Sequence, residues 1–264
     1  MILKAGNKRA EVIYRHNSLK MNREEFINLL IKDQIKYEKT FLDSFYRLKE
    51  VNNPAEAEVF KRGAAYIQGT SAGLASLLLD PKEEMEVLDL AAAPGGKTSH
   101  LAELMNNTGK ITALDISQKR LNLTKDNLAR LGVNNVSLIK ADAAKYKDEK
   151  KYDRILADLP CSGLGLIASK PEIKWDKSEA VIEKMAELQY EILNNNLDKL
   201  KTGGLLLYST CTLTKAENQD LIERIIAENN SYELINLNHK LKEVSSLNLE
   251  NDKKYLELLP GEVD

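Results

Sequence analysis

The apolar positions of the chain follow two alternating patterns from about residue 85 onward. Short runs of Val, Ile and Leu alternate there with longer stretches in which apolar residues recur at the spacing of a helix. The apolar runs cover residues 86–90, 110–115, 136–140, 154–159 and 205–209, and the helical stretches cover residues 117–131, 177–200 and 215–229. Strands that alternate with helices are typical of a parallel sheet. The pattern therefore predicts an α/β fold for residues 81–264.

The residues at the ends of the helical stretches support these boundaries. Gly132 follows the first stretch, and Gly203 and Gly204 follow the second. Glycine is favoured just past a helix C-terminus because it adopts the left-handed conformation without strain. Thr214 and Glu217 have the spacing of a capping box, which predicts that the third helix starts there.

The first 80 residues have a different pattern. Extended runs at residues 11–15 and 41–49 flank a helical stretch at residues 23–39, and an Asn-Asn-Pro turn at residues 52–54 follows. A further helix is predicted at residues 70–79, with Pro81 at the junction to the sheet region. We interpret residues 1–80 as a smaller α+β module that precedes the α/β domain.

Composition narrows the class of protein. No apolar run in the 264 residues approaches the ~18 residues that span a bilayer, and residues 1–9 lack the apolar core of a signal peptide. We therefore expect a cytoplasmic protein that does not contact a membrane. The two cysteines, Cys161 and Cys211, do not suggest a disulfide framework in such a protein. The three histidines have no metal-ligand spacing, so we predict no metal site.

The charge of the chain is unevenly distributed. The net charge is −2, but residues 1–23 contain six basic residues and one acidic residue, a net charge of +5. Residues 243–264 contain two basic and six acidic residues, a net charge of −4. The basic end is a candidate contact for a polyanion. The alternative is a terminus whose charges are only solvated.

A loop of small residues follows the first predicted strand of the sheet. It runs from Ala91 through Ala92, Ala93, Pro94, Gly95 and Gly96 to Lys97 and Thr98. Such a loop lets the backbone approach a ligand closely at a helix N-terminus. Asp115 ends the second strand 20 residues after Gly95, where a carboxylate accepts the hydroxyls of a ribose. The pattern favours a nucleoside cofactor, and the alternative is a tight strand-to-helix turn without a ligand.

Further polar residues follow the third, fourth and fifth strands. Asp142 and Asp158 come at the ends of strands three and four, although Asp142 could instead cap a helix. Cys161 follows strand four and Cys211 follows strand five. Open α/β sheets bind ligands at this carboxyl edge, so both thiols are expected beside the cofactor loop. The alternatives are small buried side chains or a disulfide between neighbouring strands.

Three stretches of the chain resemble motifs of the Nol/Nop/Sun family of RNA cytosine-5 methyltransferases. They are residues 88–98, 158–163 and 208–212, with weaker matches at residues 14–20, 66–68 and 170–175, in the order and spacing of the family. The resemblance implies a Rossmann-like class I methyltransferase sheet and an N-terminal RNA-binding module. It also implies S-adenosylmethionine as the cofactor and ribosomal or transfer RNA as the substrate.

The resemblance also implies roles for individual residues. Cys211 would attack carbon 6 of the cytosine, which makes carbon 5 nucleophilic, and Cys161 would assist release of the product. Asp158 would hydrogen-bond the ring nitrogen or the amino group of the base, and Lys97 would lie close to the base. A helix that starts at Thr214 would place a positive dipole end near Cys211 and favour its thiolate. The expected cofactor-binding residues are Ala92, Ala93, Pro94, Gly95, Gly96, Lys97, Asp115, Arg120, Asp142 and Asp158.

RNA contacts are expected outside the reaction centre. Lys170, Lys174 and Trp175 could hold a single-stranded or flipped nucleotide by charge and stacking, although Trp175 could equally be a core residue. In the N-terminal module, Tyr14, Arg15 and Lys20 are expected to contact phosphates. The basic residues nearer the start of the chain are expected to do the same. We expect the protein to act as a monomer.

The resemblance further predicts that the 264 residues stop short of the natural C-terminus. Sheets of this family close with an antiparallel hairpin, and residues 232–237 can supply only its first strand. Residues 238–251 are polar and helical or irregular, and only a short apolar run follows at residues 255–260. We therefore expect the α/β domain to lack its last strand, which leaves one sheet edge unpaired.

Two other functions compete with this interpretation. A nicotinamide-dependent dehydrogenase would share the strand, the glycine turn and Asp115, but the sequence lacks the GxGxxG motif of that class. A non-enzymatic RNA-binding or ribosome-assembly factor could retain the same fold. The presence of Cys211, Cys161, Asp158 and Lys97 argues for an enzyme.

Overall fold

The protein contains two sheets, one antiparallel and one parallel. A computed structural model describes residues 11–167, 170–173, 178–246 and 255–258. The antiparallel sheet has four strands in the order β2-β3-β1-β4. Its elements are β1 (Ile13–His16), α1 (Arg23–Lys32), β2 (Lys36–Lys39), β3 (Phe45–Lys49), α2 (Glu58–Lys61) and β4 (Ala65–Ile67). Within these described ranges, no helix is long and apolar enough to cross a membrane.

The parallel sheet has five strands in the order β7-β6-β5-β8-β9. Its strands are β5 (Glu86–Asp89), β6 (Lys110–Asp115), β7 (Val136–Lys140), β8 (Tyr152–Asp158) and β9 (Leu200–Ser209). The helices are α3 (Thr70–Leu79), α4 (Gly96–Leu104), α5 (Gln118–Leu131), α6 (Glu179–Asn196), α7 (Gln219–Glu228) and α8 (Asn238–Val244). The predicted α/β fold and the helix at residues 70–79 are confirmed.

Strand β9 begins five residues earlier than the sequence predicts. Helix α6 ends at Asn196, and the first residue of β9, Leu200, pairs with Tyr152 of β8. The register then shifts before Arg154 pairs with Leu205, and Gly203 lies in the shift with φ of 75°. The two glycines therefore do not mark the end of a helix. They allow an irregular start of the edge strand.

Alternate residues of the central strands point into two apolar layers. On β5, Val87 packs with the cluster that includes Leu101 of α4, whereas Leu88 packs with the cluster that includes Ile192 of α6. All of these side chains are buried, with 5% exposure or less. A sheet covered by helices on both faces leaves mainly its strand ends open to solvent. The fold therefore places its candidate chemistry at the carboxyl edge.

The predicted helix at residues 23–39 is wrong in its second half. Helix α1 ends at Lys32, Gln34 has a positive φ of 56°, and residues Lys36–Lys39 form β2. Strand β2 pairs with β3, so that Tyr37 lies opposite Leu48. The predicted extended run at residues 41–49 is strand only from Phe45, because a turn precedes it. Pairing with β3 in a hairpin overrides the local helical spacing here.

The two sheets are joined by a buried ion pair. Arg15 of β1 is fully buried and lies 3.2 Å from the Glu103 carboxylate of α4. Its guanidinium also donates to the Gly96 carbonyl at 2.8 Å and to Ser99 Oγ at 2.9 Å. The expected phosphate contact by Arg15 is therefore wrong. Tyr14 is likewise fully buried and donates to the Pro54 carbonyl, so it does not contact a phosphate either.

The predicted sixth strand at residues 232–237 is wrong. These residues form no strand, and Tyr232 instead donates from its hydroxyl to the Leu197 carbonyl at 2.8 Å. Among the described residues, β9 is the edge of the parallel sheet, and no antiparallel strand pairs with its free side. That arrangement agrees with the expected unpaired edge. The idea that the natural chain continues stays a prediction.

Candidate active site

The cofactor loop is held between β5 and α5. Gly95 has φ of 97°, and a Cβ at this position would lie 3.0 Å from the Thr124 methyl group of α5. The next residue, Gly96, begins α4. Two α5 side chains fix the loop from outside: Arg120 donates to the Ala93 carbonyl at 2.6 Å, and Asn127 donates to the Pro94 carbonyl at 3.0 Å. A left-handed residue and a close approach to α5 explain why glycine occupies position 95.

Asp89, the last residue of β5, is a residue that the sequence analysis missed. Its carboxylate is buried and accepts from Thr98 Oγ1 at 2.7 Å and from the Ala91 N–H at 3.3 Å. Burial raises the pKa of Asp89 from 3.8 to about 6, although the bonds from Thr98 and Ala91 oppose that shift. The sequence signal that could have identified Asp89 is an acidic residue at the end of an apolar strand, directly before the loop.

Asp115 lies at the matching end of β6. It is 4% exposed, accepts from the Ser117 N–H at 2.9 Å, and lies 3.4 Å from the exposed guanidinium of Arg120. The sequence-predicted cofactor residues from Ala92 to Gly96, together with Asp115 and Arg120, are thus brought together. Asp142 follows β7 and accepts from the Ala144 N–H at 3.0 Å within a turn rather than a helix. The suggested helix cap at Asp142 is therefore wrong.

Lys97 and Asp158 form an ion pair between the cofactor loop and β8. The Lys97 Nζ lies 2.6 Å from Asp158 Oδ2, and both side chains are only partly exposed. The other oxygen, Asp158 Oδ1, accepts from Ser209 Oγ at 2.7 Å. Ser209 is the register partner of Asp158 on β9, which explains the contact. The sequence analysis gave Ser209 no role, because the register between β8 and β9 was not known.

The two cysteines lie next to each other beyond the ends of β8 and β9. Their Sγ atoms are 3.0 Å apart, and both thiols are free. The loop that follows Cys161 folds over the Cys211 backbone, where the Gly165 N–H donates to the Cys211 carbonyl at 2.9 Å. A Cβ on Gly165 would lie 2.8 Å from that oxygen, so the approach requires glycine. The prediction that both thiols meet at the sheet edge is confirmed.

The two thiols are electrostatically unequal. The pKa of Cys161 is lowered, chiefly because the Cys211 thiol donates a hydrogen bond to it, while burial and the charge of Glu217 oppose the shift. The pKa of Cys211 is raised, because its ionisation would lose that bond and would place a charge beside Cys161 and Asp158. Lys97 lowers the pKa of Cys211 but does not reverse the effect. While the two thiols are hydrogen-bonded, Cys161 is therefore the thiol that ionises more readily.

The predicted helix start at Thr214 is wrong. Helix α7 begins at Gln219, eight residues beyond Cys211, so its dipole is too distant to favour the Cys211 thiolate. Glu217 does not cap a helix; it is fully buried and accepts from Thr214 Oγ1 at 2.9 Å. This carboxylate is the third residue that the sequence analysis missed.

The structure describes only some of the residues that the sequence predicts to contact RNA. Lys20 and Lys170 are exposed, as a phosphate contact requires. Lys174, Trp175 and the basic residues of positions 1–10 lie outside the described residues.

The residues at the strand ends fit a nucleoside cofactor. Two carboxylates, Asp89 and Asp115, lie at the ends of neighbouring strands beside a loop of small residues. A carboxylate at such a strand end is the group that accepts ribose hydroxyls in nucleoside-binding α/β folds, and a loop of small residues lets a ligand approach the backbone. The carboxylates and the backbone groups on this side of the site therefore fit S-adenosylmethionine.

The parallel sheet order, the cofactor loop and the paired thiols define a class I methyltransferase fold. The same fold occurs in the crystal structure of NSun6 from Pyrococcus horikoshii with SFG, which has a TM-score of 0.80 and 25% identity over 86% of this chain and 82% of that chain. The chain belongs to the family described as 16S rRNA methyltransferase RsmB/F, whose model matches residues 76–264.

Curated relatives support the same family. The probable ribosomal RNA small subunit methyltransferase B of Bacillus subtilis is 38% identical over 83% of this chain and 50% of its own length. The tRNA (cytosine(72)-C(5))-methyltransferase of Pyrococcus horikoshii is 40% identical over 65% of this chain and 44% of its own length. The chain thus spans about half the length of the curated relatives it matches.

Proposed function

We propose that this protein transfers a methyl group from S-adenosylmethionine to carbon 5 of a cytosine in RNA. One observation carries the proposal: two free thiols from different loops lie with their Sγ atoms 3.0 Å apart, beside the Lys97–Asp158 ion pair and the cofactor loop. A class I methyltransferase that alkylates oxygen or nitrogen does not need a pair of thiols. Addition to a pyrimidine ring does need a nucleophile and a base.

S-adenosylmethionine, when bound, supplies an electrophilic methyl group. Asp115 would hold its ribose and the backbone of residues 92–96 would line the loop side, while Asp89 supports the loop through Thr98. The further residues that would hold the cofactor are Lys97, Arg120, Asp142 and Asp158. SFG, an analogue of S-adenosylmethionine, is bound by the related NSun6 protein. That likeness supports the assignment of the same cofactor here.

Cys211 acts as the nucleophile in this proposal. Its sulfur forms a bond to carbon 6 of the cytosine, and the electron pair of the carbon 5–carbon 6 double bond becomes available at carbon 5. That pair would bond to the methyl carbon as the bond between the methyl carbon and the sulfonium sulfur breaks, with its electron pair left on sulfur. Asp158, held by Ser209 and Lys97, hydrogen-bonds the polar edge of the base while the charge shifts. A base then removes the proton from carbon 5, the double bond re-forms, and the carbon 6–sulfur bond breaks. Cys161 serves this last step.

Proton transfer between the thiols is part of the proposal. Cys211 attacks as a thiolate, so its thiol must first lose a proton. Cys161 has the lower pKa and lies within hydrogen-bonding distance, which makes it the acceptor in reach. Cys161 therefore serves twice in the proposal: it first accepts the proton of Cys211, and after it has released that proton to solvent it accepts the proton from carbon 5.

The substrate is proposed to be ribosomal or transfer RNA. The relatives named above include a methyltransferase of each kind. A monomer that meets its RNA in the cytoplasm completes the proposal. Lys20 and Lys170, both exposed, are suitable phosphate contacts on the described surface.

The experiment is methyl transfer in vitro from radiolabelled S-adenosylmethionine to purified ribosomal and transfer RNA, with 5-methylcytosine identified by mass spectrometry. Bisulfite sequencing of RNA from a deletion strain then locates the modified cytosine. Label in 5-methylcytosine supports the proposal. Label only in another nucleoside, or none with either RNA although the cofactor binds, contradicts it.

A further inference from the structure

Glu217 is a buried carboxylate whose hydrogen bonds are all directed to the loops that carry the two cysteines and to one helix. Its side chain is fully buried. Oε1 accepts from the Ser162 N–H at 2.8 Å and from Gln189 Nε2 at 3.1 Å. Oε2 accepts from Ser162 Oγ at 2.5 Å and from Thr214 Oγ1 at 2.9 Å. Four donors satisfy the lone pairs of an ionised carboxylate, which has no proton to donate.

These donors connect the two cysteine loops. Ser162 directly follows Cys161, and its hydroxyl lies 2.6 Å from the hydroxyl of Thr212, which directly follows Cys211. Because the Ser162 hydroxyl gives its proton to Glu217, the Thr212 hydroxyl donates to Ser162. The chain of bonds runs from Thr212 through Ser162 to Glu217, and each member is at most 7% exposed.

Gln189 of α6 forms a second connection. Its Nε2 donates to the carbonyl of Pro160, the residue before Cys161, at 2.8 Å as well as to Glu217. Its Oε1 lies 3.0 Å from the Tyr208 hydroxyl, which also lies 2.6 Å from the Glu217 carbonyl. Tyr208 comes three residues before Cys211 on β9. The residues on both sides of each cysteine are thereby linked to Glu217.

We infer that Glu217 is the positioning residue that sets the distance and orientation of the Cys161 and Cys211 thiols. This inference rests on the proposed function for its meaning in catalysis, but the geometry that it describes can be tested without RNA. Neither cysteine lies in a helix or a strand. Without Glu217, a buried Ser162 N–H and two hydroxyl groups lose their acceptor, and the loops must rearrange to satisfy them.

Two substitutions separate the role of shape from the role of hydrogen bonding. Glu217→Gln keeps an oxygen for the Ser162 N–H and Gln189, and the hydroxyls of Ser162 and Thr214 can rotate to accept from the new amide. Glu217→Ala removes every bond of the carboxylate. Ser162→Ala removes the hydroxyl links to Glu217 and Thr212 but keeps the bond from the backbone N–H to Glu217, so it serves as a milder variant in case Glu217→Ala does not fold.

A control carboxylate lies away from the thiols. Asp148, in the loop between β7 and β8, accepts from the hydroxyls of Tyr146 at 2.9 Å and Tyr152 at 2.6 Å and from the Lys150 N–H at 3.0 Å. Asp148→Ala therefore also removes a carboxylate with several partners. It measures what a loss of stability alone does to the thiols.

The experiment measures how fast phenylarsine oxide captures the two thiols. This reagent forms two arsenic–sulfur bonds and releases water, so stable capture needs both sulfurs close together, and Cys161→Ala supplies the single-thiol background. Glu217→Ala is expected to slow capture roughly tenfold, with Ser162→Ala slowed less and Glu217→Gln and Asp148→Ala close to wild type. In the methylation assay, Glu217→Ala is expected to lower kcat by roughly 100-fold without changing the calorimetric Kd for S-adenosylmethionine.

Each result bears on the inference separately from the proposed function. Capture by a folded Glu217→Ala protein at the wild-type rate overturns the inference, as does an equal loss in Asp148→Ala. If Glu217→Ala does not fold, wild-type capture by Ser162→Ala overturns it. If no RNA is methylated but the capture rates differ as expected, the positioning role holds and the proposed function fails.

Discussion

The cofactor end and the thiol end of the candidate active site are built in different ways. At the cofactor end, Asp89 and Asp115 bond to residues no more than nine positions away, and the loop follows directly from β5. At the thiol end, Glu217 bonds to Ser162 and Gln189, which are 55 and 28 positions away. The carboxylates at the cofactor end are held by local contacts, whereas the carboxylate at the thiol end is held by a network between distant segments.

This difference predicts how substitutions combine. Substitutions at Asp89 and Asp115 remove contacts to residues that are nearby in the chain. Their effects should therefore add to the effects of substitutions at the thiols. In the network, Glu217, Ser162 and Gln189 share partners, so their effects should not add. The cofactor affinity and the thiol geometry are thus expected to vary independently.

The largest effect is expected at the thiol end. Cys211→Ala should abolish both methylation and the covalent adduct with RNA, because in the proposed mechanism Cys211 supplies the sulfur that bonds to carbon 6. Cys161→Ala should let the adduct accumulate, because the elimination step loses its base. The adduct is detected with labelled RNA as a protein–RNA band of reduced mobility on a denaturing gel. RNA with fluorine at carbon 5 of cytosine traps the adduct in a protein that still has Cys211, which provides the positive control.

The lowered pKa of Cys161 suggests the opposite assignment of roles, and this experiment distinguishes the two assignments. If Cys161, the thiol that ionises more readily, were the nucleophile, the two phenotypes would be reversed. An adduct formed by Cys211→Ala and lost in Cys161→Ala would reverse the proposed roles.

The sequence predicts the cofactor end better than the thiol end for a physical reason. Strand ends and a small-residue loop are local patterns, so the positions of Gly95, Asp115 and Asp158 follow from the hydrophobic periodicity alone. The Asp158–Ser209 bond requires the register of β8 and β9, and the burial of Glu217 requires the packing of three segments. The local signal at Glu217 indicated a helix cap, but tertiary hydrogen bonds determine its position.

Arg15 illustrates the same limit in the N-terminal module. A basic residue in a basic segment indicates an RNA contact, yet Glu103, 88 positions later, pairs with it in the interior. Composition reports the charge of a segment but not which of its charges face the solvent. The end of α1 likewise depends on pairing, because residues Lys36–Lys39 form β2 against β3, which the helical spacing of the segment does not report.

The second effect concerns the pH dependence of stability at the cofactor end. The pKa of Asp89 is about 6 in the folded protein and near 3.8 in the unfolded chain, so the folded state binds more protons between these values. Its contribution to stability is therefore fully present below pH 3.8 and is lost as the pH rises through 6. The loss is about 3 kcal/mol, from 1.36 kcal/mol for each unit of pKa shift.

Asp89→Asn, which does not titrate, should lack this change. The measurement is urea unfolding of both proteins from pH 4 to pH 7, in which the wild type loses stability relative to the variant as the pH rises. A difference that stays constant over this range would mean that Asp89 titrates normally.

The third effect is on cofactor affinity. Asp115→Ala should weaken binding of S-adenosylmethionine by about 1.5–3 kcal/mol, because the ribose loses hydrogen bonds to a charged acceptor. Isothermal titration calorimetry measures this change. Capture of the thiols by phenylarsine oxide should be unaffected, which tests whether the two ends are independent. Unchanged affinity would remove Asp115 from the ribose site, and slower capture would show that the ends are coupled.

The smallest effect is expected outside both ends, at the basic N-terminal segment. Because Arg15 is buried in the ion pair with Glu103, only the other basic residues of positions 1–23 can release counterions from RNA. Replacing Lys4, Lys8 and Arg9 by Gln leaves β1 and its ion pair intact. For single-stranded RNA, each lost phosphate contact lowers the slope of log K against log salt concentration by about 0.7. RNA binding measured by fluorescence anisotropy over a range of salt concentrations should therefore give a shallower slope for the triple variant, with little change in affinity at high salt.

Arg15→Gln is the contrasting change: it should destabilise the fold through the unpaired Glu103 without lowering the slope. A triple variant with the wild-type slope would mean that these three charges are only solvated, and a shallower slope for a folded Arg15→Gln protein would mean that the buried guanidinium does reach the RNA.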